Sequence, residues 1–221
     1  MTFSRDTCLL IDFDGTIVDS EPIHLKANSE AFAAFGHRMD VDEYYRHWSL
    51  LGEGPSGEIS RHNLTHIEEK IVRNLGRTAF ARLIQSEPIP LLPGARALLD
   101  FITRMNLRGV IASNTPPDFI RIMMRRAGVD DCPIPVIGGR DGLRGKPFPD
   151  IFLAAATTLN APPSDCLAIE DTLKGLNAAR AAGMPCLVVP CFRYPPADYS
   201  GAIGVFPDLY RIVDWMKENM L

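Results

Sequence analysis

Cys8-Leu9-Leu10-Ile11-Asp12-Phe13-Asp14-Gly15-Thr16 is the stretch on which the reading of this chain turns. Four apolar residues make a strand-length run that ends abruptly in two acids around one aromatic, followed by a glycine turn. Side chains alternate along a strand, so Asp12 and Asp14 point the same way if the extended geometry persists. Paired carboxylates repel unless a cation or a proton lies between them, which is a reason to expect a metal. A plain Asp-Gly polar turn is the alternative. A calcium loop is excluded, because it needs glycine where Ile17 stands and an acid where Ile23 stands.

Working outward, further strand-length runs occur at 109–112, 135–137, 166–169, 186–189 and 203–206. Helix-length segments at 95–105, 116–127, 150–159, 173–182 and 208–220 lie between or after them. Strand and helix in alternation predict an α/β fold with a doubly wound parallel sheet covered on both faces. Thr115, Pro116 and Asp118 read as an N-cap, a first-turn proline and an early acid, while Gly128 and Gly183 stand where helices stop. Between Asp19 and Pro90 the alternation lapses. Helical apolar spacings replace it: Tyr44, Trp48 and Leu51; Leu64, Ile67, Ile71 and Leu75; Phe80, Leu83 and Ile84. The stiff Pro88-Ile89-Pro90-Leu91-Leu92-Pro93-Gly94 then suits a boundary. The expected organisation is a core of residues 1–18 and 91–221 with an inserted helical domain of residues 19–90.

Ligands of such sheets bind beyond the carboxyl ends of the strands. There the sequence puts Asp12 and Asp14, then Ser113-Asn114-Thr115, then Glu170-Asp171-Thr172, with Lys146 just before the helix opening at Pro147-Phe148-Pro149-Asp150. Taken singly, Glu170 and Asp171 could be acids favoured by a helix dipole, and Lys146 a surface lysine. A metal on Asp12 and Asp171 would be oxygen-ligated, and the scarcity of nearby His or Cys points to Mg²⁺ rather than Zn²⁺. Ser113 with the following amides at a helix start makes an anion site. Together the groups suit phosphoryl transfer.

These four clusters, with Asp19-Ser20-Glu21-Pro22 and the later Ala181-Ala182-Gly183, resemble the four motifs of the haloacid dehalogenase superfamily in its phosphatase and phosphoglucomutase-like branch. The resemblance implies a Rossmann-like core with a central first strand and a helical cap inserted after it. It implies that Asp12 attacks phosphorus to form an aspartyl-phosphate, and that Asp14 protonates the leaving alcohol and later deprotonates water. It further implies Mg²⁺ on Asp12, Asp171 and the backbone carbonyl of Asp14, with Glu170 as a further or outer ligand. Ser113, Asn114 and Lys146 would hold the phosphoryl oxygens.

The expected activity is Mg²⁺-dependent hydrolysis of a small phosphorylated metabolite. A sugar-phosphate mutase shares this site, and a non-catalytic binding protein is the alternative from another class; a dehalogenase would not need Asp14 or a metal. Mutases of this branch carry an arginine in a cap loop that grips a second phosphate. Aligned on Gly54-Pro55-Ser56, this chain has Gly57 there, and Arg61 lies four residues on, which favours hydrolysis. His24 is read as a hinge, substrate-facing or packing residue. His62 and His66 share a helix face, but without a metalloprotease glutamate they read as a solvated face.

Composition narrows the partners. With 23 Lys and Arg against 27 Asp and Glu among 221 residues, the net charge of −4 lacks the basic excess of a nucleic-acid binder. No run approaches a membrane span, and Met1 to Asp6 leads into a strand rather than forming a signal peptide. Five cysteines without Cys-x-x-Cys spacing suit reduced thiols, and the Asn63-Leu64-Thr65 sequon is then without consequence. A cytoplasmic protein follows as the expectation, a monomer or else a homodimer.

Overall fold

The computed structural model describes residues 3–140 and 142–220; Met1, part of the leader expectation, lies outside them. A six-stranded parallel sheet forms in the order β3-β2-β1-β4-β5-β6, from β1 (Cys8–Ile11), β2 (Gly109–Ala112), β3 (Val136–Ile137), β4 (Cys166–Glu170), β5 (Cys186–Val188) and β6 (Gly204–Val205). The first strand is central, between β2 and β4.

Residue alternation assigns each strand face its own core. Leu9 and Ile11 of β1, Ile111 of β2, and Leu167 and Ile169 of β4 pack with Leu98, Ile120 and Ile212. Cys8, Leu10, Val110, Ala112, Cys166 and Ala168 face the other way, onto Phe152, Ala155, Leu176 and Ala179. The covering helices are α5 (Ala95–Arg104), α6 (Pro117–Ala127) and α9 (Leu209–Met220) on the first face, and α7 (Asp150–Thr158) and α8 (Leu173–Ala181) on the second. This is the expected α/β, doubly wound Rossmann-like sheet. Leu10 is fully buried at its centre. Leu10→Ala should lower the unfolding free energy by about 2–5 kcal/mol, through lost transfer energy and the cavity left behind; urea denaturation checks this, and a loss under about 1 kcal/mol would contradict the packing.

Residues 21–83 add no strand to the sheet. They form α1 (Glu21–Ala33), the short turn α2 (Val41–Glu43), a π-helix (Tyr44–Leu50), α3 (Gly54–Arg61) and α4 (Glu69–Leu83). α1 packs along α4, and Phe32, Met39, Tyr44, Trp48, Ile67 and Val72 form a separate apolar cluster. The two connections pair with each other: Val18 bridges Leu91 antiparallel, and the Asp19 N–H donates to Pro90 O at 2.9 Å.

Several local expectations need correction. Ile71 and Leu75 are exposed, because α4 turns Val72, Gly76, Phe80 and Leu83 inward instead, and Leu51 is exposed where the π-helix ends. α1 went unrecognised because much of its buried stripe is alanine rather than large apolar residues. The N-cap of α6 is Pro116 rather than Thr115, whose N–H takes the Ser113 hydroxyl as acceptor at 3.0 Å. The last strand is shorter than expected, and Ile203 and Val205 are exposed at the sheet edge. All five cysteines are buried and unbonded to one another. Among the described residues no helix is long and apolar enough to cross a membrane.

Candidate active site

Parallel strands share one polarity, so everything placed just after them gathers at a single edge. Asp12 follows β1, Ser113 and Asn114 follow β2, Glu170 ends β4 and Asp171 follows it. These residues line one cavity of about 720 Å³ together with Asp14, Lys146 and side chains of the helical segment.

Lys146 is buried between two carboxylates. Its Nζ donates to Asp12 Oδ1 at 2.5 Å, to Ala112 O at 2.7 Å and to Glu170 Oε1, and it lies 4.6 Å from the Phe152 ring centre. Burial would lower the lysine pKa, but Asp12 and Glu170 outweigh it and raise the value. Asp12, Glu170 and Asp171 are all buried, with carboxylate oxygens within 4.8 Å of one another. Burial pushes the Asp12 carboxyl up to about 8, assisted by Glu170 and Asp14 and opposed by Lys146. Burial, then Asp12 and Glu170, also raise Asp171 well above the carboxylate range. Fully ionised, three buried acids against one ammonium would leave an excess of negative charge, so the cluster either holds protons or takes up a cation, and its all-oxygen donor set fits a hard divalent one.

Two glycines permit this crowding. A Cβ on Gly15, whose φ is +81°, would collide with Asp171 Oδ2, and one on Gly175 would collide with the Glu170 carboxylate. Glu170 has both oxygens engaged: Oε1 with Lys146, and Oε2 with the Asp171 N–H at 3.1 Å and the Thr172 hydroxyl at 3.1 Å.

Asp14 is held differently. Ser20 Oγ donates to Oδ1 at 2.6 Å, Ser113 Oγ to Oδ2 at 2.8 Å, and His24 Nε2 lies 3.2 Å from Oδ1. Burial would raise its pKa; the contacts from His24, Ser20 and Ser113 prevail and hold it well below the usual range. His24 stacks on Phe80 at 4.1 Å between centroids, and Asp14 raises its pKa against burial. The His24–Asp14 contribution to stability is therefore lost at low pH, as Asp14 protonates at its depressed value, and at high pH, as His24 loses its proton at its raised value. An NMR titration should place the His24 midpoint above that of free imidazole. In Asp14→Asn, where burial is opposed chiefly by Glu21 alone, the midpoint should fall below wild type; an unchanged midpoint would remove the pairing.

Asn114 lines the cavity, and its side chain engages the Lys146 backbone. Oδ1 accepts the Lys146 N–H at 2.7 Å and Nδ2 donates to Lys146 O at 3.3 Å, so it braces the lysine loop. The sequence assigned Ser20 no role beyond its place in a motif and did not single out Tyr194. The Tyr194 hydroxyl donates to Asp171 Oδ2 at 3.0 Å, and the neighbouring Arg193 forms a two-pronged ion pair with Asp19 at 3.2 and 2.6 Å. Neither contact leaves a local signal, because each joins distant segments. Arg61 does not line the cavity; it pairs with Glu53 and with Glu58 at 2.7 Å. His62 and His66 do not share a helix face, because α3 ends at Arg61; His62 Nε2 meets Glu43 at 2.8 Å, and its ring lies 4.9 Å from that of His37.

Comparison with known proteins gives the same architecture a family. Residues 7–183 match the model of the haloacid dehalogenase-like hydrolases. Protein CbbY of Rhodobacter capsulatus is 30% identical over 227 residues, spanning 91% of this chain and 92% of that protein. The crystal structure of CbbY from Rhodobacter sphaeroides in complex with phosphate superposes with a TM-score of 0.78 at 29% identity, covering 93% of this chain and 96% of the other. A mutant of that protein bound to xylulose-(1,5)bisphosphate gives a TM-score of 0.77 at 28% identity, with 92% and 94% covered. The matched family model, the paired acids after β1 and the lysine between buried carboxylates agree: the chain belongs to the haloacid dehalogenase-like hydrolase family and is an enzyme of that kind.

Proposed function

We propose that this enzyme is a Mg²⁺-dependent phosphatase that hydrolyses a small phosphorylated metabolite through an aspartyl-phosphate on Asp12. The observation that carries the reading is the buried trio of Asp12, Glu170 and Asp171 around Lys146, opening into one cavity with Asp14 and Ser113. A carboxylate oxygen of Asp12 bonds to phosphorus while the bond from phosphorus to the substrate alcohol breaks, and Asp14 gives that alcohol a proton. Water then attacks phosphorus, Asp14 takes its proton, and the acyl phosphate opens to restore Asp12 and free phosphate.

Ser113 couples binding to this chemistry. Its single hydroxyl proton now goes to Asp14. To hold a phosphoryl oxygen the hydroxyl must rotate, and that rotation removes one of the three contacts that keep Asp14 ionised. The carboxyl then becomes easier to protonate as substrate arrives. Asp12, Asp171 and the backbone carbonyl of Asp14 would hold Mg²⁺, while Glu170, with both oxygens engaged, orients Lys146 from behind. When bound, the ion offsets the negative charge of the phosphoryl oxygens. Asn114 serves through its main-chain N–H and its brace on Lys146.

Residues 19–90 act in this reading as a cap, supported by their separate apolar cluster and by the paired connections at Val18 and Leu91. Gly57 and the engagement of Arg61 elsewhere support hydrolysis over mutase chemistry. A second anionic group on the substrate is nevertheless favoured, because Arg77, Arg140 and Lys174 line the cavity and form no ion pair among the described residues. Incubation with a panel of mono- and bisphosphorylated sugars, with and without Mg²⁺, tests the proposal. Metal-dependent release of free phosphate is expected. Full activity in excess chelator would overturn the metal role, and conversion of a sugar 1-phosphate to its 6-phosphate faster than phosphate release would overturn hydrolysis.

A further inference from the structure

Away from the catalytic edge, titratable side chains from three neighbouring pieces of the helical segment converge. His37, in the loop after α1, places Nε2 2.7 Å from Oε1 of Glu58 on α3. His62, at the end of α3, has Nε2 3.7 Å from that same oxygen and 2.8 Å from Oε2 of Glu43 on α2. Glu58 is 1% exposed, and its other oxygen accepts from Trp48 Nε1 at 3.2 Å and Arg61 Nη2 at 2.7 Å. Those two donors fix the carboxylate so that Oε1 faces both rings.

We propose that His37, His62 and Glu58, with Glu43 as a fourth donor, form a binding site for a divalent ion of the zinc class. Two imidazole nitrogens and carboxylate oxygens make the mixed donor set that Zn²⁺ accepts, and the donor atoms of His37, Glu58 and His62 lie within 4.8 Å of one another. Tetrahedral bonds of about 2.0–2.2 Å need donors roughly 3.4 Å apart, so the His37–Glu58 contact opens slightly and the His62–Glu58 contact closes. Both rings bind neutral, with their proton on Nδ1. The charge also fits. Glu43, Glu53 and Glu58 surround one guanidinium, that of Arg61, leaving an excess of two negative charges. Orienting a buried carboxylate with an indole and a guanidinium supplies the outer support that metal ligands ordinarily have.

Such an ion ties the loop after α1 to α2 and α3. The first turn of α3, Gly54 to Ser56, lines the catalytic cavity, so the site anchors the far end of a cavity wall. It is chemically distinct from the all-oxygen trio at Asp12.

The full chain, held in excess Mg²⁺ to occupy the catalytic carboxylates, should be titrated with Zn²⁺ by calorimetry and with Co²⁺ by visible absorption. One equivalent of Zn²⁺ should bind and raise the melting temperature, and Co²⁺ should give the intense bands of a tetrahedral site. His62→Ala and His37→Gln should each weaken Zn²⁺ at least tenfold with Mg²⁺-dependent turnover unchanged. The His62 side chain is 32% exposed, so its replacement leaves a folded protein for comparison. His66→Ala should bind as wild type. Absence of Zn²⁺ binding, binding in either variant as tight as in wild type, or weak octahedral Co²⁺ bands would each overturn the site and leave a hydrogen-bonded His–Glu network only.

Discussion

Asp12→Asn should abolish turnover, by about 10⁴-fold or more, while the protein stays folded. The amide oxygen can still accept from Lys146, so the cluster keeps its geometry, but a neutral amide does not displace an alcohol from phosphorus. Stability should move in the opposite direction from activity. The Asp12 carboxyl is pushed up to about 8, chiefly by burial and then by Glu170 and Asp14, against the pull of Lys146. A raised carboxyl pKa means the folded protein binds this proton more tightly than the unfolded chain. Its contribution is therefore favourable at low pH and erodes as pH rises from the unfolded value of about 3.9 towards 8. Without metal, the Asn variant should melt above wild type at pH 8, with the gap closing towards pH 4. Phosphate release by the purified variant and calorimetric melts at both pH values check this. Turnover within tenfold of wild type would remove Asp12 from the nucleophile's place.

Lys146→Met should cost about 3–5 kcal/mol of stability in the metal-free protein and lose most phosphate affinity. Methionine fills the same space against Phe152, so the change removes charge more than volume. What remains is three buried carboxylates with no ammonium among them. Because the lysine pKa is raised by Asp12 and Glu170 against burial, its contribution is complete below the free-lysine value of about 10.4 and fades only above that. The full loss should therefore appear at pH 7. Added Mg²⁺ should restore part of the stability, since a divalent cation balances the same charges, but it should not restore vanadate binding. Urea denaturation with and without Mg²⁺, and a vanadate titration, measure both effects. Unchanged stability together with unchanged vanadate affinity would mean that Lys146 does not balance the charge of this site.

How much of this was legible in advance depends on the range over which each feature is encoded. The buried run before Asp12, the strand–helix alternation and the position of each acid just after a strand are written locally. Parallel strands then bring those acids to one edge without further instruction. That is why Asp12, Asp14, Ser113, Lys146, Glu170 and Asp171 could be named together, although Lys146 and Asp12 stand 134 residues apart.

The inward face of α4 was not written locally. Leu64, Ile67, Ile71 and Leu75 have valid helical spacing, yet α4 starts only at Glu69 and buries Val72, Gly76, Phe80 and Leu83. The choice belongs to its partner: α1 presents Ala27 and Ala31, and Gly76 comes close enough that a Cβ would meet Asn28 Oδ1 at 2.9 Å. Hydrophobic periodicity reports which faces could be buried, and only the neighbour decides between them. The same holds for side chains that find polar partners across the fold. Ser20 and His24 on Asp14, Tyr194 on Asp171, and Asn114 bent onto the Lys146 backbone are set by distance in space. His62 exchanged its sequence neighbour His66 for His37 because α3 runs back past the loop after α1. The sequence by itself determined the sheet, the edge at the carboxyl ends of its strands and the residue types gathered there, since each follows from local patterning and strand polarity. Tertiary structure alone decided which helical face is buried, which proton each carboxylate receives and which histidines meet, because those outcomes depend on packing between segments that carry no record of one another.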